Sequence, residues 1–285
     1  MKTTQQLFTA KDHLASKDHF KVFWNNDKQR AQTEIPFGTD MSKYYKSDDY
    51  ASHKKKEKSL ADLIYFFIQR IMLRFKMALI KRHSLGKKIL DYGAGIGNFA
   101  RYMSKDKYRV FAIEPNPTAM DIIISKGINV ASSLKDIPPT ESFNIITLWH
   151  VLEHISSPKK TLAELRSRLE KNGKLIIAVP NFNSFDSQHY QANWAALDVP
   201  RHLWHFTTPG IQILMKESGF VMNQKYPLWF DAFYIAYLSE KYLGNNCPLL
   251  RGSFVGLISN IKAFFSGEYS SLIYVFEKES SFLKD

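Results

Sequence analysis

The 285-residue sequence predicts a doubly wound α/β core, a mostly parallel seven-stranded sheet covered by helices on both faces, with an antiparallel last strand. Three observations carry that expectation. Short, continuously apolar segments alternate with helix-like ones between residues 87 and 181, the pattern of strands buried on both faces. A glycine-rich turn, DYGAGIGNF, follows directly on the first of these segments. The second segment ends on an acid, Glu114.

Taken in order, residues 1–59 are polar, aromatic and punctuated, and close on the basic run HKKKEK at 53–58. They read as an N-terminal extension with little regular structure and at most a short strand at HFKVFW. The core, residues 60–285, opens with an amphipathic helix over 60–82, whose apolar run is interrupted by Arg70, Arg74 and Lys76 and so falls short of a membrane span. Strands are then expected at 87–93, 108–115, 128–131, 143–152 and 174–181, with helices between them. The helix at 158–171 carries its own punctuation: Ser156 or Ser157 can cap it, Pro158 suits its first turn, Leu162, Leu165 and Leu169 form its buried stripe, and Gly173 lies just past its end. A helix over 207–220 and a sixth strand over 220–230 follow. Residues 231–268 read as an insertion of two apolar helices, a candidate lid, before the last strand SSLIYVFEK.

Composition bounds the function. With 45% hydrophobic residues a mostly disordered chain is excluded, and a net charge of +12 favours an anionic partner. Much of that excess consists of ordinary surface lysines such as Lys159, Lys160 and Lys174, and no common nucleic-acid motif is present, so nucleic acid is disfavoured. Peripheral contact with an anionic membrane through the helix at 60–82 stays open. Cys247 is the single cysteine, which excludes an intrachain disulfide and a multi-cysteine zinc site. A cytoplasmic protein is expected.

Glycines 93, 95 and 97 permit a tight turn and close backbone approach, and the helix start beyond them offers free N–H groups to a nucleotide-like ligand. The dinucleotide fingerprint requires its third glycine at position 98, which is Asn98, so a nicotinamide cofactor is the weaker reading. Glu114 stands 21 residues after Gly93, where a carboxylate can accept both hydrogen bonds of a ribose diol.

On these motifs the chain resembles the class I S-adenosylmethionine-dependent methyltransferases. ILDYGAGIGNFA resembles their first motif, VFAIEPNP their acidic second-strand end, and FNIITLWHVLEHI their fourth strand and the loop after it. The stretch WAALDVPRHLWHFTTPGIQILMKESGF is similar to an uncharacterised bacterial branch related to the ubiquinone-pathway O-methyltransferases. The resemblance covers about residues 80–230. It implies S-adenosylmethionine as cofactor, with Asp91, Gly93 and Gly95 around its methionine part, Glu114 on its ribose, Asn116 near its adenosine, and Trp149 and His150 flanking the methyl donor. Many relatives in that branch begin with cysteine pairs; this chain lacks them.

The acceptor is expected to be a small or lipid-linked molecule methylated at oxygen. Asp198, Arg201, His202, Trp204 and His205 crowd one segment after the fifth strand, where the ligand crevice of an open α/β sheet lies. Arg201 is a candidate to hold an anionic acceptor, and His202 and His150 are candidate general bases. His150, Glu153 and His154 also spell H-x-x-E-H, a zinc-peptidase pattern. It follows a β-branched run, and Pro158 opens a new helix four residues after His154, so no metal is expected. The alternative function is an S-adenosylmethionine-binding regulator without catalysis. Oligomeric state is not readable.

Overall fold

The computed structural model describes residues 4–45 and 60–280; the basic run at 53–58 lies outside the described residues. The chain opens with β1 (Thr4–Lys11), β2 (His19–Asn25) and β3 (Arg30–Thr33), and after a 3-10 turn at Met41–Tyr45 it enters α1 (Leu60–His83). The core follows as β4 (Lys88–Tyr92), α2 (Asn98–Lys105), β5 (Arg109–Ile113), α3 (Pro117–Ser125), β6 (Asn129–Ala131), β7 (Phe143–Trp149), α4 (Pro158–Arg168) and β8 (Leu169–Pro180). Then come α5 (Phe185–Tyr190), β9 (Trp204–Phe206), α6 (Thr208–Glu217), β10 (Phe220–Pro227), α7 (Trp229–Tyr242), α8 (Pro248–Ser266) and β11 (Ser271–Lys278).

The main sheet has the order β10-β11-β8-β7-β4-β5-β6. β11 runs antiparallel to both its neighbours and the other pairings are parallel. Apolar continuity in the strands is explained by burial on both faces. Leu90, Ile146 and Ile177 pack with Leu162, Leu165, Ile211 and Leu214 on one side. Ile89, Ile145 and Ile176 pack with Ile80, Met103 and Ile123 on the other. The strand order reverses between β4 and β7, and the carboxyl ends there form the crevice where ligands bind in such sheets.

Within the expected extension, residues 4–45 depart from expectation. β1, β2 and β3 form an antiparallel sheet that takes β9 as its fourth strand. The alternation that makes it possible is short: Phe20 and Val22 are buried while His19 and Lys21 face solvent. α4 also stops earlier than its punctuation implies. Leu169 already pairs with Phe143 as a strand residue, and Gly173 lies within β8. A side chain at Gly173 would meet Leu169 Cδ1 at 2.9 Å and Asn144 O at 3.0 Å, so this glycine serves close packing rather than a helix stop. Likewise β10 ends at Pro227, and Trp229 begins a helix.

α7 and α8 lie between β10 and β11. The pair leaves the sheet after β10 and rejoins it at Ser271, which pairs with Pro180 at the carboxyl end of β8. It is fixed from below: buried Asp186 of α5 accepts bonds from Ser259 Oγ of α8 (2.8 Å), Ser270 Oγ (2.6 Å) and Trp194 Nε1 (2.7 Å).

Candidate active site

β4 delivers Asp91 to the crevice and then turns through three glycines of positive φ. Gly93 has φ 75°, and a Cβ there would strike Val151 Cγ2 at 2.5 Å, so only glycine fits. Gly95 is the opposite case, since a Cβ would meet nothing within 4 Å; it marks the open side of the turn. Glu114, directly after β5 and 5% exposed, spans the turn: Gly95 N donates to Oε2 (2.8 Å) and Asn116 N donates to Oε1 (3.0 Å). Each oxygen keeps a further lone pair. Burial raises the Glu114 pKa, opposed by those two backbone donors. Asn116 itself accepts from Ala119 N (3.1 Å) and caps α3, with Pro117 next in the helix, so its side chain serves the fold beside the expected adenosine position. The Ser132 to Asp136 loop is closed on itself, with Ser132 Oγ donating to Asp136 Oδ2 at 2.7 Å.

Asp91 is 2% exposed and accepts from Thr147 Oγ1 (2.9 Å). Burial pushes its pKa up to about 6, against the pull of Thr147 and of Lys76. Lys76 is a site residue that sequence reading missed. It descends from α1 with its Nζ 4.2 Å from the centre of the Trp149 ring, and burial lowers its pKa to about 8 while Asp231 and Asp91 oppose that shift. One signal was legible: Lys76 falls three or four residues from Met72, Leu73, Leu79 and Ile80, on the inward stripe of its helix. Trp149 ends β7 with Phe99 edge-on at 5.3 Å, and its buried Nε1 has no hydrogen-bond partner among the described residues.

His150 follows with φ 56°, its side chain 35% exposed. Nδ1 lies 3.5 Å from Glu153 Oε1 and Nε2 lies 3.4 Å from Asp231 Oδ2, in the first turn of α7. Burial works against its charge, but the two carboxylates prevail and push its pKa up to about 9. Glu153, 1% exposed, is held below the usual carboxylate range by His150, with His202 and His154, despite burial. His202 approaches the same oxygen, Nε2 to Glu153 Oε1 at 4.0 Å and to Asp198 Oδ2 at 3.9 Å, while its Nδ1 meets Ala196 O at 2.8 Å. Glu153 therefore gathers His150 and His202, which the sequence had placed 52 residues apart.

H-x-x-E-H does not lie on an α-helix, because Leu152–His154 is one 3-10 turn. The three atoms that converge within 4.8 Å belong to Glu153, His154 and His202. His154 Nδ1 meets Arg201 O at 3.0 Å, and burial together with His202 lowers its pKa to about 4.

Arg201 corrects the sequence reading. Its guanidinium is 5% exposed and faces the N-terminal sheet, not the crevice: Nε meets both oxygens of Asp198 (3.1 and 3.0 Å), NH1 donates to Tyr44 O (3.1 Å) and NH2 donates to Asp12 Oδ1 (3.3 Å). His205 is likewise engaged, with Nε2 2.9 Å from Thr33 Oγ1. The dense polar segment thus divides, with the His202 ring buried beside Glu153 and Asp198 and with Arg201 and His205 clamping the extension.

The family model for a methyltransferase domain matches residues 65–225. An uncharacterised protein of Methanocaldococcus jannaschii is 25% identical over 161 residues, covering 55% of this chain and 75% of its own. The ubiquinone biosynthesis O-methyltransferases of Schizosaccharomyces pombe and of Rhodopseudomonas palustris strain HaA2 are each 27% identical, over 33% and 50% of this chain. The chain spans 38% and 65% of those two relatives. Among solved structures, magnesium protoporphyrin IX methyltransferase from Synechocystis shares the fold with a TM-score of 0.53 at 10% identity, over 81% of this chain and 94% of that one. A possible histamine N-methyltransferase from Thermotoga maritima gives 0.52 at 18% identity, over 75% and 93%. With the matched domain taking in more than half its length, the chain belongs to the methyltransferase-domain family and carries the class I, S-adenosylmethionine-dependent fold that its motifs resemble.

Proposed function

We propose that this crevice binds S-adenosylmethionine and directs its methyl group to an oxygen of a small or lipid-linked acceptor. The carrying observation is Glu114, a buried carboxylate spanning the open glycine turn with a free lone pair on each oxygen. The residues present fit the cofactor: the turn leaves space at Gly95, and the buried Trp149 Nε1 has no hydrogen-bond partner among the described residues. Glu114 would hold the ribose diol and Lys76 the methionine carboxylate, opposite Asp91 for the amino group. When bound, the cofactor supplies a methyl already activated by its sulfonium charge. The chain's part is to align the acceptor in line with that methyl, exclude water and receive a proton.

His150 suits the last task because it lies at the end of β7, partly exposed, held between Asp231 and Glu153. As the acceptor O–H loses its proton, the imidazole takes it and the two carboxylates stabilise the cation that forms. His202 acts through Glu153 as a positioning residue. α7, which brings Asp231, is the cover over this side.

Isothermal calorimetry tests the reading. The wild type should bind S-adenosylmethionine, and Glu114→Ala should lose at least about tenfold in affinity, since bonds to a charged group are worth about 1.5–3 kcal/mol. Equal affinity in the variant removes the assignment. His150→Ala should bind cofactor normally and turn over about 10² to 10⁴ times more slowly. A cofactor-bound protein inactive towards hydroxyl acceptors, such as phenols, would favour the non-catalytic binder.

A further inference from the structure

We infer that α8 docks the protein on an anionic phospholipid surface. The helix is inverted relative to an ordinary amphipathic helix. It turns small residues inward, with Gly252, Gly256, Ser259 and Ala263 buried. A Cβ at Gly252 would meet Tyr237 Cα of α7 at 2.6 Å, so the two helices are in backbone contact. The large side chains point out: Leu250, Phe254, Leu257, Ile261, Phe264 and Phe265 are 50–83% exposed. At 3.6 residues per turn they fall on one stripe about 100° wide. Scattered apolar residues are normal on a surface, but a contiguous stripe of this kind marks a partner.

Charge selects the partner. α8 contains no carboxylate; of its two cations, Arg251 pairs with Glu240 of α7 (Nε to Oε2, 3.5 Å) and Lys262 lies over the Phe185 ring at 3.9 Å, so the cations exposed on this side are those of α1. α1 touches the same hairpin through Phe75 against Trp229 (5.6 Å) and exposes Phe67, Arg70 and Arg74. A second copy packed stripe to stripe would cover the apolar side chains, but α8 has no carboxylate to offer Arg70 and Arg74. A lipid surface resolves both demands, because the stripe sits at the acyl boundary and the cations reach the phosphates. The occupant is therefore a bilayer with anionic headgroups. The same hairpin carries Asp231 to His150, so docking would turn the acceptor side of the crevice towards the membrane. That consequence rests on the proposed methyl transfer; docking does not, and binding is measured without turnover.

The test is flotation of the full chain with vesicles of phosphatidylcholine alone or with phosphatidylglycerol, at low and high salt. Expected is partition onto the anionic vesicles that weakens with salt, and a loss of at least about tenfold in Phe254→Ser/Phe264→Ser/Phe265→Ser, which removes three outward side chains. Arg70→Gln/Arg74→Gln should weaken binding by a smaller factor, and Ile124→Ser, an exposed apolar site on α3, should not change it. The inference is overturned if the wild type stays off anionic vesicles, if the triple variant floats as well as the wild type, or if sedimentation shows a dimer that the triple variant splits with flotation unaltered. Should the triple variant lose its folded circular-dichroism signature, the lipid-charge dependence of the wild type and the Arg70/Arg74 variant decide.

Discussion

Arg201 departs from the role that the sequence alone gives it, while His150 keeps the one proposed for it. Arg201 stands beside buried Asp12 and Asp198, so removing it strands two carboxylates away from water. Arg201→Ala should therefore cost about 3–5 kcal/mol in denaturant unfolding while leaving the affinity for S-adenosylmethionine in the correctly folded fraction unchanged. A loss of activity without a loss of stability would return Arg201 to the acceptor site. His150 has its pKa raised to about 9 by Asp231 and Glu153. A base must be neutral, so kcat/KM should climb with pH towards about 9. Asp231→Asn should move that limb down towards the ordinary histidine range. Stability has the opposite slope: the raised folded pKa means that the pairing stabilises fully below about 6.5 and is lost as pH rises through about 9. Of the residues proposed to hold the cofactor, Glu114 was singled out by its spacing from the glycine turn and Asp91 by the motif resemblance. Lys76 and Asp231 were not, because nothing local ties them to the crevice; tertiary packing brings them there.

At the scale of elements, what the sequence conveys depends on how continuous the signal is. The five core strands and α1 are long apolar patterns and appear where expected, within a few residues. β1 and β3 lack such a pattern, and their burial comes from residues near 190–206 that no local window contains. The α4–β8 boundary was misplaced because Gly173 resembles a helix stop, although its real constraint is the Leu169 side chain above it. The α7–α8 hairpin was expected as two helices, but its inverted packing was visible only as glycines at 252 and 256 without an obvious purpose. Gly256→Val tests that packing. A Cβ there would sit 2.9 Å from Phe233 Cα, and overpacking of this kind costs about 1–3 kcal/mol. The melting temperature should fall accordingly; an unchanged value would mean that the hairpin separates freely.

As a whole, the described residues form two sheets joined by an apolar cluster, in which Phe20, Val22 and Ala31 pack with Trp194, Leu197 and Ile235, and by a polar seam beside it. The seven-stranded sheet owes its stability to apolar burial, which is indifferent to moderate acid. The N-terminal sheet is held to it through β9, through Thr33 Oγ1 donating to His202 O (2.8 Å), and through the Asp12–Arg201–Asp198 cluster. Both aspartates titrate below the ordinary range. Burial raises the pKa of Asp12, but bonds from Ser16, Ala15 and Leu14 and the charge of Arg201 outweigh it. Burial raises that of Asp198 too, and the Arg201 bond prevails. A depressed folded pKa contributes stability above the unfolded value of about 3.8 and loses it as pH falls through the folded one. Acid should therefore loosen the seam before it reaches the core. Hydrogen exchange at pH 5 and pH 3 should show protection at 4–33 falling first, with 143–149 still protected. Arg201→Ala should produce the same ordering at neutral pH. Simultaneous loss in both sheets would show instead that the two are one cooperative unit, with the polar seam no weaker than the apolar core.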